Sequence, residues 1–161
     1  MSDDIKRQID TLAAFPGKLK QQINGLDDTA LRYRPAPDQW SIVEIIGHIT
    51  DVAALWPSRT RQMLASEHPT LMAVDAAWVR MRDYQNKQPS FLLITLAEQR
   101  AEYVEFLRGL RPGQLARTGI HPTRGPLTVA EGIAALVDHD RGHSEQIAAN
   151  LAAFEHAKGR A

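Results

Sequence analysis

The chain has 161 residues, 19 lysines and arginines against 19 aspartates and glutamates, and no cysteine. That length suits one domain with a core that needs neither disulfides nor a structural metal. Zero net charge excludes the positive excess that non-specific nucleic-acid or membrane binding requires. The missing thiols exclude a disulfide scaffold, a thiolate-held zinc or iron–sulfur site and a cysteine nucleophile.

Any metal must therefore be held by His, Asp or Glu. The opening stretch Met1–Arg7, with Asp3 and Asp4, is too acidic for a targeting signal, and no apolar h-region follows it. No apolar run approaches the length of a membrane span. The cytoplasm is the expected compartment.

Four long segments show helical periodicity. In the first, Ile5, Ile9, Leu12, Leu19 and Ile23 recur on one face, and Pro16-Gly17 predicts a kink or a restart. The second begins at Ser41, where Ser41-Ile-Val-Glu44 has the form of a capping box. It runs through Ile45, Ile49, Val52 and Trp56 to about Ala65, with a kink expected at Pro57. The third follows Pro89-Ser90 and carries Leu92, Leu96, Tyr103 and Leu107. The fourth opens on a second capping-box pattern, Thr128-Val-Ala-Glu131, and carries Ile133, Leu136, Val137, Ile147, Leu151 and Phe154. No segment reads as a strand.

The halves, about residues 1–66 and 90–156, form a weak repeat. Gly25-Leu26 matches Gly109-Leu110 at an offset of 84, and Ser41-x-x-Glu44 matches Thr128-x-x-Glu131 at an offset of 87. Each half reads as helix, glycine stop, irregular connection and capped helix. The expected fold is a single all-α domain, a four-helix bundle of two pseudo-repeated helical hairpins. The crossover between them, Glu67 to Pro89, has room for a short helix of its own.

Among the six histidines, His139 and His143 lie four residues apart. On a helix their imidazoles share a face and can reach one metal ion. His48 falls on the edge of the apolar stripe of the second helix. The repeat offset maps it onto Ala135, one turn before His139. Three inward imidazoles plus water make an open catalytic zinc-type site. Boundary histidines packed for structure alone would show the same spacing. His139-Asp-Arg-Gly-His143 lacks the glutamate of zincin proteases, and no Glu-x-x-His occurs to suggest a ferritin-like di-metal bundle.

Pro37-x-x-Trp40-Ser41-Ile-Val-Glu44-Ile-Ile-Gly-His48-Ile-x-Asp51 resembles the signature of the DinB/YfiT-like superfamily. So does Thr128-x-x-Glu131 followed by His139-x-x-x-His143-x-x-Gln146-Ile147. The likeness extends to Leu12-Ala-Ala-Phe-Pro16 and to Gly25-Leu26-Asp27-Asp28, and so covers most of the chain. It implies up-down-down-up topology and one divalent ion, zinc or nickel, on the residues matching His48, His139 and His143. It also implies a small-molecule substrate and a metal-activated water or thiol, since relatives include proteins designated metal-dependent hydrolases and transferases of low-molecular-weight thiols. The family's association with DNA damage concerns induction and implies no DNA binding.

Glu44 and Asp51 flank His48 by about one turn; either could support an imidazole or act as a base, Glu44 having its cap role as the alternative and Asp51 a solvated one. Gln146 follows His143 by one turn and reads as a supporting or boundary residue. Asp140 and Glu145 point away from the imidazole face and read as surface. His68 and His121 both precede proline and read as surface connections. The arginines Arg108, Arg111, Arg117 and Arg124 read either as a solvated loop or as an anion-binding rim. The three tryptophans read as core, with Trp78 as a candidate wall of the site and Tyr84 as its polar handle. Two functions fit this pattern. One is an enzyme that activates a water or a cosubstrate thiol at the metal. The other is a non-catalytic, metal-stabilised bundle or interaction module, possible as a homodimer.

Overall fold

A computed structural model describes residues 1–73 and 77–159. The elements in chain order are α1 (Asp3–Gln22), α2 (Asp28–Arg32), α3 (Ile42–Ala65), α4 (Ala77–Met81), a 3₁₀ turn (Tyr84–Asn86), α5 (Pro89–Arg108), α6 (Pro112–Leu115), strands β1 (Thr118–His121) and β2 (Gly125–Thr128), and α7 (Val129–Lys158). No described helix is long and apolar enough to cross a membrane.

The long helices start where local chemistry satisfies their first amides. Ser2 caps α1. Full capping boxes start α3, on Ser41 and Glu44, and α7, on Thr128 and Glu131. Pro89 occupies the first position of α5, where its missing N–H leaves nothing unpaired. The restart expected at Pro16 does not occur, because α1 runs unbroken through it. Pro57 likewise lies inside α3.

Pair contacts fix the helix directions. Asp10 meets Arg108, and Phe15 lies under Arg100, so α1 and α5 are antiparallel. Thr60 meets Tyr103 late in both α3 and α5, so these two run parallel. Trp40, just before α3, meets Asn150, and His48 meets His139, so α3 and α7 are antiparallel. The order is therefore up-down-down-up. Helices α1 and α7 each pack on a helix of the other half. The two long helices of one half thus face each other across a diagonal.

The core divides into two apolar clusters. One gathers Leu12, Val52, Trp56, Met63, Tyr103, Leu107, Ile133 and Leu136. The other gathers Phe15, Leu19, Ile45, Ile49, Leu96 and Ile147. On α7 the gap between Leu136 and Ile147 holds His139, Asp140 and His143; on α5 the gap between Leu96 and Tyr103 holds Arg100. A polar belt crosses the bundle at this level. Asp140, expected at the surface, is 3% exposed and accepts from the buried Arg100 guanidinium at 2.7 Å. Arg100 comes from α5, the helix diagonal to α7, so Asp140 faces the bundle interior and not the solvent.

A small antiparallel hairpin, β1 with β2, precedes α7, although no strand is expected from the sequence. The Leu71 N–H donates to the Ile120 carbonyl at 2.9 Å, and the Ile120 N–H to the Pro69 carbonyl at 2.8 Å. The crossover thus lies along β1 and ties the two halves together. Close packing also fixes one glycine. A Cβ on Gly47 would meet the Tyr84 ring at 2.3 Å, so only glycine lets the 3₁₀ turn lie against α3.

Candidate metal centre

His48 from α3 and His139 and His143 from α7 converge in the polar belt. One ring nitrogen from each lies within 4.8 Å of the others. Their ring centroids are 4.4 to 5.1 Å apart. The Nε2 atoms of His48 and His139 are 3.1 Å apart. Burial, and then the neighbouring His139 and His143, push His48 down to about 3. Burial and then His139 also hold His143 below its ordinary value, against the opposing pull of Gln146 and Asp140. These two rings are therefore neutral at pH 7, with lone pairs to offer.

The rings are poorly satisfied by the protein alone. A neutral imidazole has one N–H and one lone pair. His48 Nδ1 and His139 Nδ1 are buried without a hydrogen-bonding partner, and a single contact joins the two Nε2 atoms. His143 is different. Its Nδ1 lies 2.9 Å from the Gln146 Oε1. Because an amide oxygen can only accept, this bond places the proton on Nδ1 and leaves the Nε2 lone pair free. An all-imidazole donor set with one nitrogen of each ring within 4.8 Å of the others suits a borderline divalent ion. The residues present fit such a group.

Trp40 covers one side of the cluster, with its ring 5.0 Å from His48 and stacked at 6.3 Å on His143. On the other side, a cavity of about 210 Å³ is lined by His48 and His139, then Val52, Trp56 and Ala135, then Arg59, His121, Thr123 and Arg124. The hairpin turn thus supplies the mouth. His121, expected at the surface, stacks on Trp56 with centroids 6.2 Å apart. Neither Arg59 nor His121 stands out in the sequence. Arg59 lies mid-helix, and His121 sits beside a proline, on a strand too short to show a pattern.

The remaining candidates lie elsewhere. Both Glu44 oxygens are engaged, by the Ser41 N–H at 2.9 Å and by the Arg34 guanidinium. Asp51 lies 3.8 Å from Arg82 and faces Tyr84. Burial, and then the Asp51 carboxylate, push the Tyr84 hydroxyl up. Trp78 lines a shallow depression with Met81 and Arg82, away from the imidazoles. Of the arginines considered for a rim, Arg108 pairs with Asp10, Arg111 with Gln114, and Arg117 with the Met63 and Ser66 carbonyls. Only Arg124 reaches the cavity.

Comparison with known proteins gives this geometry a context. The Bacillus subtilis (strain 168) protein YfiT, which carries the provisional designation of metal-dependent hydrolase, is 27% identical over 141 residues, 86% of this chain and 79% of that one. A similarly designated protein of Oceanobacillus iheyensis is 23% identical over 145 residues, 90% of this chain and 84% of that one. The solved structure of YfiT, described as a four-helix bundle of unusual topology, superposes with a TM-score of 0.86 at 25% identity, covering 93% of this chain and 87% of that one. A mycothiol-dependent maleylpyruvate isomerase shares the fold, with a TM-score of 0.72 at 11% identity over 89% of this chain and 60% of that one. The family model of the DinB superfamily matches residues 11–147. That span runs from the first helix past the last imidazole, and the chain belongs to the DinB superfamily.

Proposed function

We propose that His48, His139 and His143 hold one divalent metal ion, zinc or nickel, and that the protein is a metal-dependent enzyme acting on a small molecule. The observation that carries this reading is the convergence of three half-buried imidazole nitrogens within 4.8 Å at the end of an open cavity. The metal supplies Lewis acidity, which gives a water or a thiol its anionic form at neutral pH.

The chain's own residues do the rest. Gln146 holds the proton of His143 on Nδ1 and so keeps Nε2 as an acceptor. Trp40 closes one flank against water. The cavity leaves the other flank open for a substrate. The designation of the relatives favours hydrolysis. The alternative is transfer to a low-molecular-weight thiol, and with no cysteine in the chain that thiol arrives as a cosubstrate. A closed, purely stabilising metal site in a homodimeric or interaction module is the non-catalytic alternative, and the cavity against His48 and His139 speaks against it.

Zinc- or nickel-loaded protein should turn over members of a panel of small esters, amides and thiol-reactive electrophiles, and metal-stripped protein should not. Turnover without added thiol identifies a hydrolase, and strict thiol dependence identifies a transferase. Equal rates with and without metal contradict the reading.

A further inference from the structure

We propose that the cavity beside the imidazole cluster is a subsite for the carboxylate of a small organic acid, held by Arg59 and Arg124 with His121 at its mouth. This names the substrate class of the site proposed above. It rests on that reading for the chemistry at the imidazole end, but not for the binding itself.

Arg59 is 4% exposed and lines the cavity. Its Nε donates to the Met72 carbonyl at 2.9 Å, and its Nη2 donates to the same oxygen. No hydrogen bond to a described residue engages Nη1. No described carboxylate lines the cavity, and none of the ion pairs among described residues involves Arg59 or Arg124. A buried guanidinium with no counter-charge among the described residues is unfavourable, and burial lowers the Arg59 pKa to about 10. His121 lies below its ordinary value through burial and then through Arg59 and Arg124, the mark of a positive potential at the mouth. The Thr123 N–H donates to His121 Nδ1 at 3.3 Å. The His121 proton therefore sits on Nε2, which makes that nitrogen a third donor. An incoming carboxylate would match this set, since guanidinium and carboxylate pair through parallel hydrogen bonds.

The rest of the cavity suits the body of such an acid. Trp56 forms an aromatic wall, with Arg59 over its ring at 5.0 Å and His121 stacked on it at 6.2 Å. Val52 and Ala135 add apolar surface, and His48 and His139 close the far end. The volume of about 210 Å³ falls below the roughly 300 Å³ at which drug-sized pockets begin, so the acid is small. Anchored at the arginines, it points its other end at the imidazoles.

Calorimetric titration of the metal-stripped full chain with benzoate and with its neutral isostere benzamide tests this. Benzoate should bind saturably, and benzamide at least about tenfold more weakly, the discrimination expected of charged hydrogen bonds. Arg124→Gln, at an exposed turn, should weaken benzoate several-fold without unfolding the chain. Arg59→Gln should weaken it further where circular dichroism shows a native fold. His143→Ala, outside the cavity lining, should lose metal but retain benzoate, which separates failure of the metal reading from failure of the subsite. Indifference between benzoate and benzamide, unchanged benzoate binding by Arg124→Gln, or tighter binding of inorganic phosphate than of benzoate would each overturn the assignment.

Discussion

Gln146 is where a single side chain most clearly sets the state of the site. Its amide oxygen, 2.9 Å from His143 Nδ1, decides which ring nitrogen is free. Gln146→Leu should therefore weaken metal affinity by about 10–100-fold, the usual effect of removing an outer hydrogen bond to a ligand imidazole, with circular dichroism unchanged. Competition against a zinc chelator measures it, and unaltered affinity would remove Gln146 from the account. Asp140 is the structural counterpart. Asp140→Ala leaves the buried Arg100 charge unpaired and should destabilise the fold by about 3–5 kcal/mol in urea denaturation. Replacing both partners with apolar residues should recover most of that loss. His48, His139, His143 and Gln146 were legible in the sequence because spacing on one helix face is a local property. Asp140, Arg59 and His121 were not, because each is placed by a partner distant in sequence: Arg100, Met72 and Trp56.

At the scale of elements, the capping boxes were readable in advance, since Ser41-x-x-Glu44 and Thr128-x-x-Glu131 are complete within four residues. The structure adds Arg34 to the first of them. Burial pushes the Glu44 carboxyl up, but the Arg34 guanidinium and the Ser41 bonds overcome it and hold the group below its ordinary value. A carboxyl lower in the folded than in the unfolded state stabilises the fold above its unfolded pKa. That contribution is lost as pH falls through the folded value. Thermal melts from neutral pH into the acid range should therefore show less acid-linked destabilisation in Glu44→Gln than in the natural chain, from a lower neutral-pH melting point. Parallel acid limbs would contradict it. The hairpin stayed hidden for a different reason. Its strands are four residues each, contain Gly119, Gly125 and Pro126, and owe part of their order to the crossover at Pro69–Leu71. Nothing in so short a window shows the alternation that marks a strand.

Across the whole molecule, the polar belt between the two apolar clusters is the place where a bound cation would act on the stability of the bundle. The helices themselves were legible from their periodicity. The diagonal placement of each half's helices was not, since periodicity shows which face is buried and not which neighbour buries it. The belt brings three imidazoles together, and His48 Nδ1 and His139 Nδ1 are buried there without a hydrogen bond, the latter 3.5 Å from Asp140. A cation bound there favours the folded state alone, with a gain of about 2.7 kcal/mol when free metal is a hundredfold above Kd. Zinc or nickel should raise the melting temperature of the natural chain, and the rise should be absent in His139→Ala. An equal rise in both would place the stabilising ion elsewhere.

The central claim is that the three imidazoles hold one ion. Elemental analysis of purified full-length protein, loaded with zinc or nickel and then dialysed, tests it most directly. The account predicts close to one ion per chain in the natural protein and essentially none in His48→Ala. No retained metal in the natural chain, or the same content in both, would contradict it.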